Sequence, residues 1–554
     1  MTQRPADVNY TFSSAQIEQL KAYGEIKPHA EGEMLIEEGT ARPDFLVTIS
    51  GETHIFAETT EGQKRLGYME TGQFSGDLTV MTGQASLVHV TMGRAGDVLH
   101  IAHRDLQRLL VENSALSDII VSTLSARRDF AHERQHGAVI VIGEAYDRTV
   151  FTARDLLSKH SVPHVWMTPD DDVAKRIMEA RGISEGDLPV VVRGASRVLS
   201  SPDVATLSEA FALDLLPDGA SADVIVVGAG PGGLAASVYA ASEGLNVLTL
   251  DQDGPGGQAG TSSKIENYLG FPTGVSGREL AERASVQAQK FGALMAAPAC
   301  AEGLTKDGDV YCLVLKDGRQ LSAKSVVIAT GAQYRRLPIE NLERFEGRGI
   351  YYGATPMEAQ LCSGSEVAVV GAGNSAGQGA VYLSQTAKAV HVAFRRPDIR
   401  ETMSEYLVRR LEETPNIHLY PETEVDALHG MDTNSLADER LTGVRWKHAN
   451  GETKETPVTF LFLFIGAAPF TAWLPDTVAR DDKGFLKTGS DLANLDLVRA
   501  SWQLDRMPTR YETSWPRIYA VGDVRTGSVK RVASAVGEGS VVVSDIHKAI
   551  SGLA

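Results

Sequence analysis

The chain has 554 residues, 43% of them apolar, and a net charge of −18. That length and apolar content exclude a disordered chain and leave room for three or four domains, each with its own core. The acidic excess argues against nonspecific partnership with nucleic acid or anionic membrane.

The first residues, Met1-Thr-Gln-Arg-Pro5, lead into no apolar signal core, and no stretch reaches transmembrane length. Three cysteines occur, Cys300, Cys312 and Cys362, with no CxxC pair and no zinc spacing among them. A cytoplasmic protein without a disulfide framework or a metal is therefore expected.

From about residue 10 to 130, short apolar segments alternate with turn signals. Phe45-Leu-Val-Thr-Ile49 is followed by Ser50-Gly51, and Thr53-His-Ile-Phe56 by Glu61-Gly62. Such spacing predicts a β-roll or barrel. Helical periodicity flanks it at 15–20, 105–110 and 116–124. With the run from Gly32 to Gly39, Ile49-Ser-Gly51 and Gly72-Gln-Phe-Ser-Gly-Asp77, residues 1–133 resemble the cyclic-nucleotide-binding domain family. In that family an Arg of the phosphate cassette neutralises the cyclic phosphate. The corresponding stretch here, Gly83-Gln-Ala-Ser-Leu-Val88, has no cation. A buried phosphate without a cationic partner is costly, so a structural, dimerising or differently sensing β-roll is expected rather than a cyclic-nucleotide site.

Residues 137–216 open with an apolar strand, Ala138-Val-Ile-Val-Ile142. Helical periodicity follows at 149–159, a strand at 164–168, a helix at 173–181, and Leu188-Pro189 before Val190-Val-Val192. A strand at 193–199 and a helix after Pro202 complete the order β-α-β-α-β-β-α. This resembles the thioredoxin/glutaredoxin fold, in which that proline is cis beside an active dithiol. The place of the dithiol is taken by Glu144-Ala-Tyr-Asp-Arg148, which supports no thiol chemistry. A docking or spacer module is expected, followed by a linker at 217–222.

Two glycine fingerprints come next. Gly228-Ala-Gly230-Pro231-Gly-Gly233 follows Val224-Ile-Val-Val227, and Gly371-Ala-Gly373-Asn374-Ser375-Ala376 follows Val367-Ala-Val-Val370. Each reads as strand, tight turn and helix start, the pattern that brings a backbone close to a pyrophosphate. One match is weak; two predict two dinucleotides, a flavin and a nicotinamide exchanging a hydride. Asp251 ends the strand after the first fingerprint, at the spacing of an acid that takes a ribose hydroxyl. After the second there is no acid. Arg395-Arg396-Pro-Asp-Ile-Arg400 stands there instead, a set suited to a 2′-phosphate, with a solvated basic turn or NADH use as the alternatives.

From residue 223 onward the chain resembles the bacterial thioredoxin-reductase family. The matching stretches are Gly256-Gly257-Gln258, Glu266-Asn267-Tyr-Leu-Gly-Phe-Pro272, Ala329-Thr330-Gly331-Ala332, Ile465-Gly466, and Ile518-Tyr-Ala-Val-Gly522-Asp523. Gly537-Glu-Gly539 reads as opening the final helix region. The resemblance implies a flavin (FAD) domain at 220–340 and 460–554, an inserted NADPH domain at 341–459, two Rossmann-like α/β folds, and a homodimer. It places Gly257, Gln258, Asn267, Thr330, Gly331, Gly522 and Asp523 against FAD, and Gly466 beside NADPH. In place of the family's Arg-Gln at the start of the last helix stand Lys530, Arg531 and Val532. A cation there would stabilise a reduced, anionic flavin, or else make a phosphate or salt-bridge contact.

The family's Cys-Ala-Thr-Cys is absent from its expected place. Gly353-Ala-Thr-Pro356 stands there, so neither redox cysteine position holds a thiol, and no catalytic side chain is expected. Gly and Pro cannot perform thiolate attack. Cys362 reads as a lone buried thiol. The arrangement resembles cysteine-less thioredoxin-reductase-like proteins fused to cyclic-nucleotide-binding-like modules. Its implied function is an NADPH-dependent flavin oxidoreductase with an unidentified electron acceptor. A redox or ligand sensor with little turnover, and a disulfide reductase using thiols supplied in trans, are the alternatives.

Overall fold

The computed structural model describes residues 8–59, 62–134, 139–194, 197–262, 264–431 and 440–552. The reading of Met1 to Pro5, the turn at Glu61 and the strand start at Ala138 lie outside them, as do the expected bounds at residues 1, 137 and 554.

The N-terminal unit is built from two four-stranded antiparallel sheets. One runs Glu25–His29, Gly96–Ile101, Phe45–Thr48, Phe74–Ser75; the other runs Met34–Ile36, His89–Arg94, Glu52–Thr59, Gly62–Met69. His89–Arg94 alternates half-buried and buried residues, as a one-sided strand must. Phe12, Phe45, Phe74 and Leu99 fill the core together with Leu106 and Leu109 of the helix His103–Glu112. A long helix, Ser114–Arg134, follows.

The next unit has a single sheet ordered His164–Met167, Val139–Ile142, Val190–Arg193, Arg197–Ser200. Its first pair is parallel and the others antiparallel. The helices Arg148–Lys159, Asp172–Arg181 and Val204–Phe211 complete the expected element order, and the Leu188–Pro189 peptide is cis. Asp147 caps the helix Arg148–Lys159 by accepting from the amides of Thr149 (2.6 Å) and Val150 (3.2 Å).

The third unit is a seven-stranded sheet. Ser221–Val227 sits between Val247–Leu250 and Gln320–Ile328, all parallel, and Ile518–Ala520 returns from the end of the chain to pair with Gln320–Ile328. Val224 to Val227 are all buried, as expected of a strand covered on both faces. The helices Pro231–Ser242 and Val532–Ile550 pack against each other so closely that a Cβ on Gly539 would lie 2.1 Å from the Gly232 carbonyl. Gly537 and Gly539 therefore lie inside the last helix, which starts earlier than its glycines suggest.

The fourth unit is a five-stranded parallel sheet ordered Ile350–Tyr351, Phe460–Leu463, Glu366–Val370, Ala389–Ala393, Ile417–Tyr420, with a three-stranded antiparallel layer beside it. Phe460–Leu463 belongs to this sheet by its pairing, so the expected boundary at 459/460 falls too early. Four consecutive buried apolar residues make that strand central rather than a connector. The third and fourth units are joined by a two-stranded ribbon, Ala332–Tyr334 against Ala467–Pro469.

Candidate functional site

The first fingerprint forms the floor of a cleft of about 800 Å³. Gly228 has φ +108°, and a Cβ on it would lie 2.3 Å from the Ala329 carbonyl. A Cβ on Gly233 would meet the Gly228 carbonyl at 1.8 Å. Only glycine fits either place. The turn thereby aims the N-terminus of the helix Pro231–Ser242 into the cleft. Gly228, Gly230, Pro231, Gly257, Gln258, Thr330, Gly331, Gly522, Asp523, Lys530, Arg531 and Val532 line it, as does Asp251. Gly233 serves the turn rather than the lining. Asn267 is exposed and stands outside the lining, in a loop whose Leu269 is 93% exposed.

The Asp251 carboxylate is fixed by the backbone around it. Its Oδ2 accepts from the Ala229 amide at 2.8 Å, and its Oδ1 from the amides of Asp253 and Gly254 at 3.0 Å each. Burial nevertheless pushes its acidity towards the neutral form. Thr330 Oγ1 donates to the Phe470 carbonyl (2.9 Å), and Gln258 Nε2 donates to the Ala332 carbonyl. The buried Glu538 accepts from the Gly522 amide at 2.6 Å and from Arg525 at 2.7 Å. It holds the turn that presents Asp523, whose pKa burial also raises. Lys530 lies over the Phe485 ring at 4.5 Å, with Nζ 3.4 Å from the Asp523 carbonyl.

Sequence reasoning missed two walls of the cleft, a tyrosine pair and a helix face of the upstream unit. Tyr334 and Tyr352 stack at 6.0 Å between centroids, and Tyr352 donates to Glu346 (2.6 Å), which also pairs with Arg336 (2.6 Å). The segment 352–355, already singled out by its missing thiols, faces the loop that holds Gly257 and Thr261, with a Cβ on Gly353 placed 3.1 Å from Thr261. Arg148, Phe151, Thr152, Asp155 and Lys159 of the upstream helix complete the lining. Their spacing along one helical face was the available signal, but nothing local shows what that face meets.

The second fingerprint repeats the turn. Gly371 has φ +148°, with a Cβ position 2.5 Å from the Phe464 carbonyl, whereas a Cβ on Gly373 would meet nothing within 4 Å. Asn374 starts the helix Asn374–Leu383, Ala376 is buried beneath it, and Ser375 lines the large cleft together with Gln378 and Gly379. Asn374 also bonds Ser404 through both amide atoms. Gly466 has φ +91° and its carbonyl accepts from the Arg335 amide at 3.0 Å, at the ribbon rather than in the cleft. All three arginines are exposed. Arg396 pairs with Glu401 (2.5 Å) and Arg400 with Glu412 (2.7 Å), whereas Arg395 has no acidic partner among the described residues.

Gly353 and Pro356 flank Ala354 and Thr355 at the start of the helix Pro356–Leu361, whose capping residue is Thr355. Cys362 ends this helix fully buried, its thiol pushed up by burial to about 12. Cys300 and Cys312 are free as well. Among the described residues no His/Cys/Asp/Glu group could hold a metal, and no helix is long and apolar enough to cross a membrane. In the β-roll, Asp77 pairs at 3.0 Å with Arg128 of the chain's own long helix. Burial raises that carboxyl, but Arg128 and Thr79 hold it below the usual range.

The sequence profile of the family described as pyridine nucleotide-disulphide oxidoreductase matches residues 222–539, and that of the cyclic nucleotide-binding domain matches residues 26–113. The chain is 29% identical over 327 residues to the thioredoxin reductase of Bacillus subtilis, covering 59% of this chain and 93% of that protein. It is 31% identical over 320 residues to that of Mycoplasmopsis pulmonis, covering 58% and 94%. Among solved structures, the thioredoxin reductase of T. acidophilum superposes with a TM-score of 0.52 at 28% identity, covering 59% of this chain and 98% of that one. The Lactococcus lactis thioredoxin reductase gives 0.52 at 26% identity, covering 60% and 100%.

Proposed function

The chain belongs to the pyridine nucleotide-disulphide oxidoreductase family, and on that premise we propose that it is an NADPH-dependent flavoprotein oxidoreductase whose electron acceptor is not an internal dithiol. The observation that carries this reading is convergence. The first fingerprint and Ser375, Gln378 and Gly379 of the second fingerprint's helix line one cleft. FAD, when bound, supplies a ring that takes a hydride from NADPH and passes electrons onward.

The chain's own groups bind, orient and exclude. The N-terminal amides of Pro231–Ser242 and the positive end of that helix suit a pyrophosphate. Asp251, locked by three amides, keeps lone pairs for ribose hydroxyls without having to reorganise. Lys530 and Arg531 place positive charge at the cleft, where negative charge on the bound flavin would be stabilised. The stacked Tyr334 and Tyr352 keep water from the reacting side. Arg395, without an acidic partner among the described residues, is the guanidinium available to a 2′-phosphate.

Gly353 and Pro356 occupy the place that in thioredoxin reductases holds the dithiol, and Cys362 is buried, single and unreactive. Disulfide reduction by this chain alone is therefore not part of the reading. The upstream unit, thioredoxin-like in its element order, serves as a docking module. A second reading, a redox sensor with slow turnover, is favoured by one observation: that module closes a side of the cleft. Anaerobic rapid mixing of the FAD-loaded chain with NADPH or NADH tests the proposal. Bleaching of the flavin band is expected with NADPH and more slowly with NADH; no bleaching by either would overturn it.

A further inference from the structure

The two halves of the reductase meet across an interposed segment. A Cβ on Gly353 lies 3.1 Å from Thr261 of the flavin-type loop, and Ala354 lies 3.5 Å from the Cβ position of Gly379 in the second fingerprint's helix. Residues 352–355 thus stand between the two nucleotide sites. For a nucleotide held on the second fingerprint to reach a flavin ring, this segment must withdraw. The halves are joined by the slender ribbon Ala332–Tyr334/Ala467–Pro469 and by an exposed ion pair, Arg410–Glu266 at 3.1 Å, of little energetic weight.

The helix Arg148–Lys159 bridges both halves at once. At its start, the Phe151 ring packs on Tyr351 at 5.4 Å, and the preceding Tyr146 ring lies 5.9 Å from Phe460. Arg154, only 5% exposed, donates to Gln360 at 3.1 Å. These contacts grip the interposed segment on both sides, at 351 and at 360. At its other end, His160 Nε2 is 3.1 Å from the Asp253 carbonyl and Lys159 is 3.8 Å from the Asp253 carboxylate, both on the flavin half. The opposite face of the helix, Val150, Ala153 and Leu157, is sunk in its own module. It therefore cannot follow the nucleotide half without leaving either the flavin half or its own core.

We propose that this helix is a latch: Phe151 and Arg154 are positioning residues that hold segment 351–360 in the cleft, and NADPH gains access to the flavin only when the latch lets go. This explains why a thiol-free module was retained against the cleft. The inference rests on the proposed NADPH-to-flavin route. If the latched state dominates, the observed reduction rate is scaled down by the fraction unlatched.

The test uses the full-length, FAD-loaded chain and the double substitution Phe151→Ala/Arg154→Gln, mixed anaerobically with saturating NADPH. The rate constant for flavin bleaching is expected to rise about tenfold or more, with the NADPH concentration for half-maximal rate lowered as well, because a nucleotide that favours the unlatched state binds the unlatched variant more tightly. An equal or slower rate in the double variant overturns the latch. Bleaching of neither protein by NADPH, while dithionite bleaches both, overturns the functional reading instead. If the variant fails to retain FAD, hydrogen exchange in the unaltered chain decides. Exchange in 148–159 and in 351–361 should accelerate together on adding NADPH, and protection unchanged in either segment overturns the proposal.

Discussion

Both glycine fingerprints make the same turn, with a left-handed first glycine pressed against the next strand's carbonyl, yet their surroundings differ. The first sits at the floor of a large cleft, with its acid locked by three amides. The second has no such locked acid, and its arginines stand in solvent, two of them already paired. A locked acid suits a group that stays; arginines in solvent suit one that comes and goes each turnover. The same local sequence signal can therefore serve retention or exchange, and what decides is tertiary cover that no fingerprint encodes.

The largest test of that contrast substitutes one glycine in each. Gly228→Ala adds a Cβ 2.3 Å from a backbone carbonyl in a left-handed conformation, a cost of at least about 1–3 kcal/mol from strain alone. It should leave the purified chain with roughly a tenth or less of its flavin. Gly371→Ala, the matching strained position with a Cβ 2.5 Å from the Phe464 carbonyl, should keep most of its flavin and lose NADPH binding instead. Absorbance at the flavin band relative to protein reads both, and equal flavin content in the two variants would break the contrast.

Acid should loosen the cover of the first site. His160 is buried against the Asp253 carbonyl, and burial holds its pKa down to about 4, with Lys159 adding to the effect and Asp253 opposing it. Above its unfolded value near 6.5 the ring is neutral in both states. As pH falls from there to about 4 the unfolded chain takes up a proton that the folded chain refuses, so stability drops across that window by at most about 3 kcal/mol. A melting series should show the fall between pH 6.5 and 4, shared with His164, which burial also holds down to about 4, and His160→Asn should reduce it by roughly half. A slope that is the same in the variant would assign the acid sensitivity elsewhere.

At the second site, Arg395→Gln should weaken NADPH binding about tenfold and leave NADH unchanged, the loss of one charge-assisted contact. Arg396→Gln and Arg400→Gln should each cost only about two- to threefold, because both guanidiniums already face glutamates. Titration of each variant with either nucleotide checks the order; equal losses for all three would mean that the ion pairs open when the nucleotide binds. The smallest effect is expected at Cys362→Ala. The thiol is buried and pushed up to about 12, so flavin reduction by NADPH should be unchanged within about a factor of two, and any larger loss would give that thiol a role.

Much of this was legible in the residues. Val224–Val227 and Val367–Val370 announce buried parallel strands, and the glycines after them announce the turns, because backbone sterics leave few alternatives. Asp251 was found by spacing, and the cleft contains it. Other features could not be read that way. Phe460–Leu463 looks like any apolar strand, and only pairing reveals its sheet. Asn267 carries a motif resemblance yet points to solvent in a loop without cover. Glu538, between two glycines, reads as a helix residue although it holds the Gly522–Asp523 turn. The helix Arg148–Lys159 has an ordinary amphipathic pattern, and its partners, Tyr351 and Gln360, lie some 200 residues away.

The central claim is that electrons enter a flavin and find no dithiol beside it. Anaerobic reductive titration of the FAD-loaded chain with NADPH, checked against dithionite, counts them directly. Complete bleaching at about one equivalent of NADPH per flavin, two electrons in all, is the predicted result. Bleaching that requires about two equivalents, the mark of a second two-electron centre, would contradict it, as would a flavin that NADPH leaves oxidised.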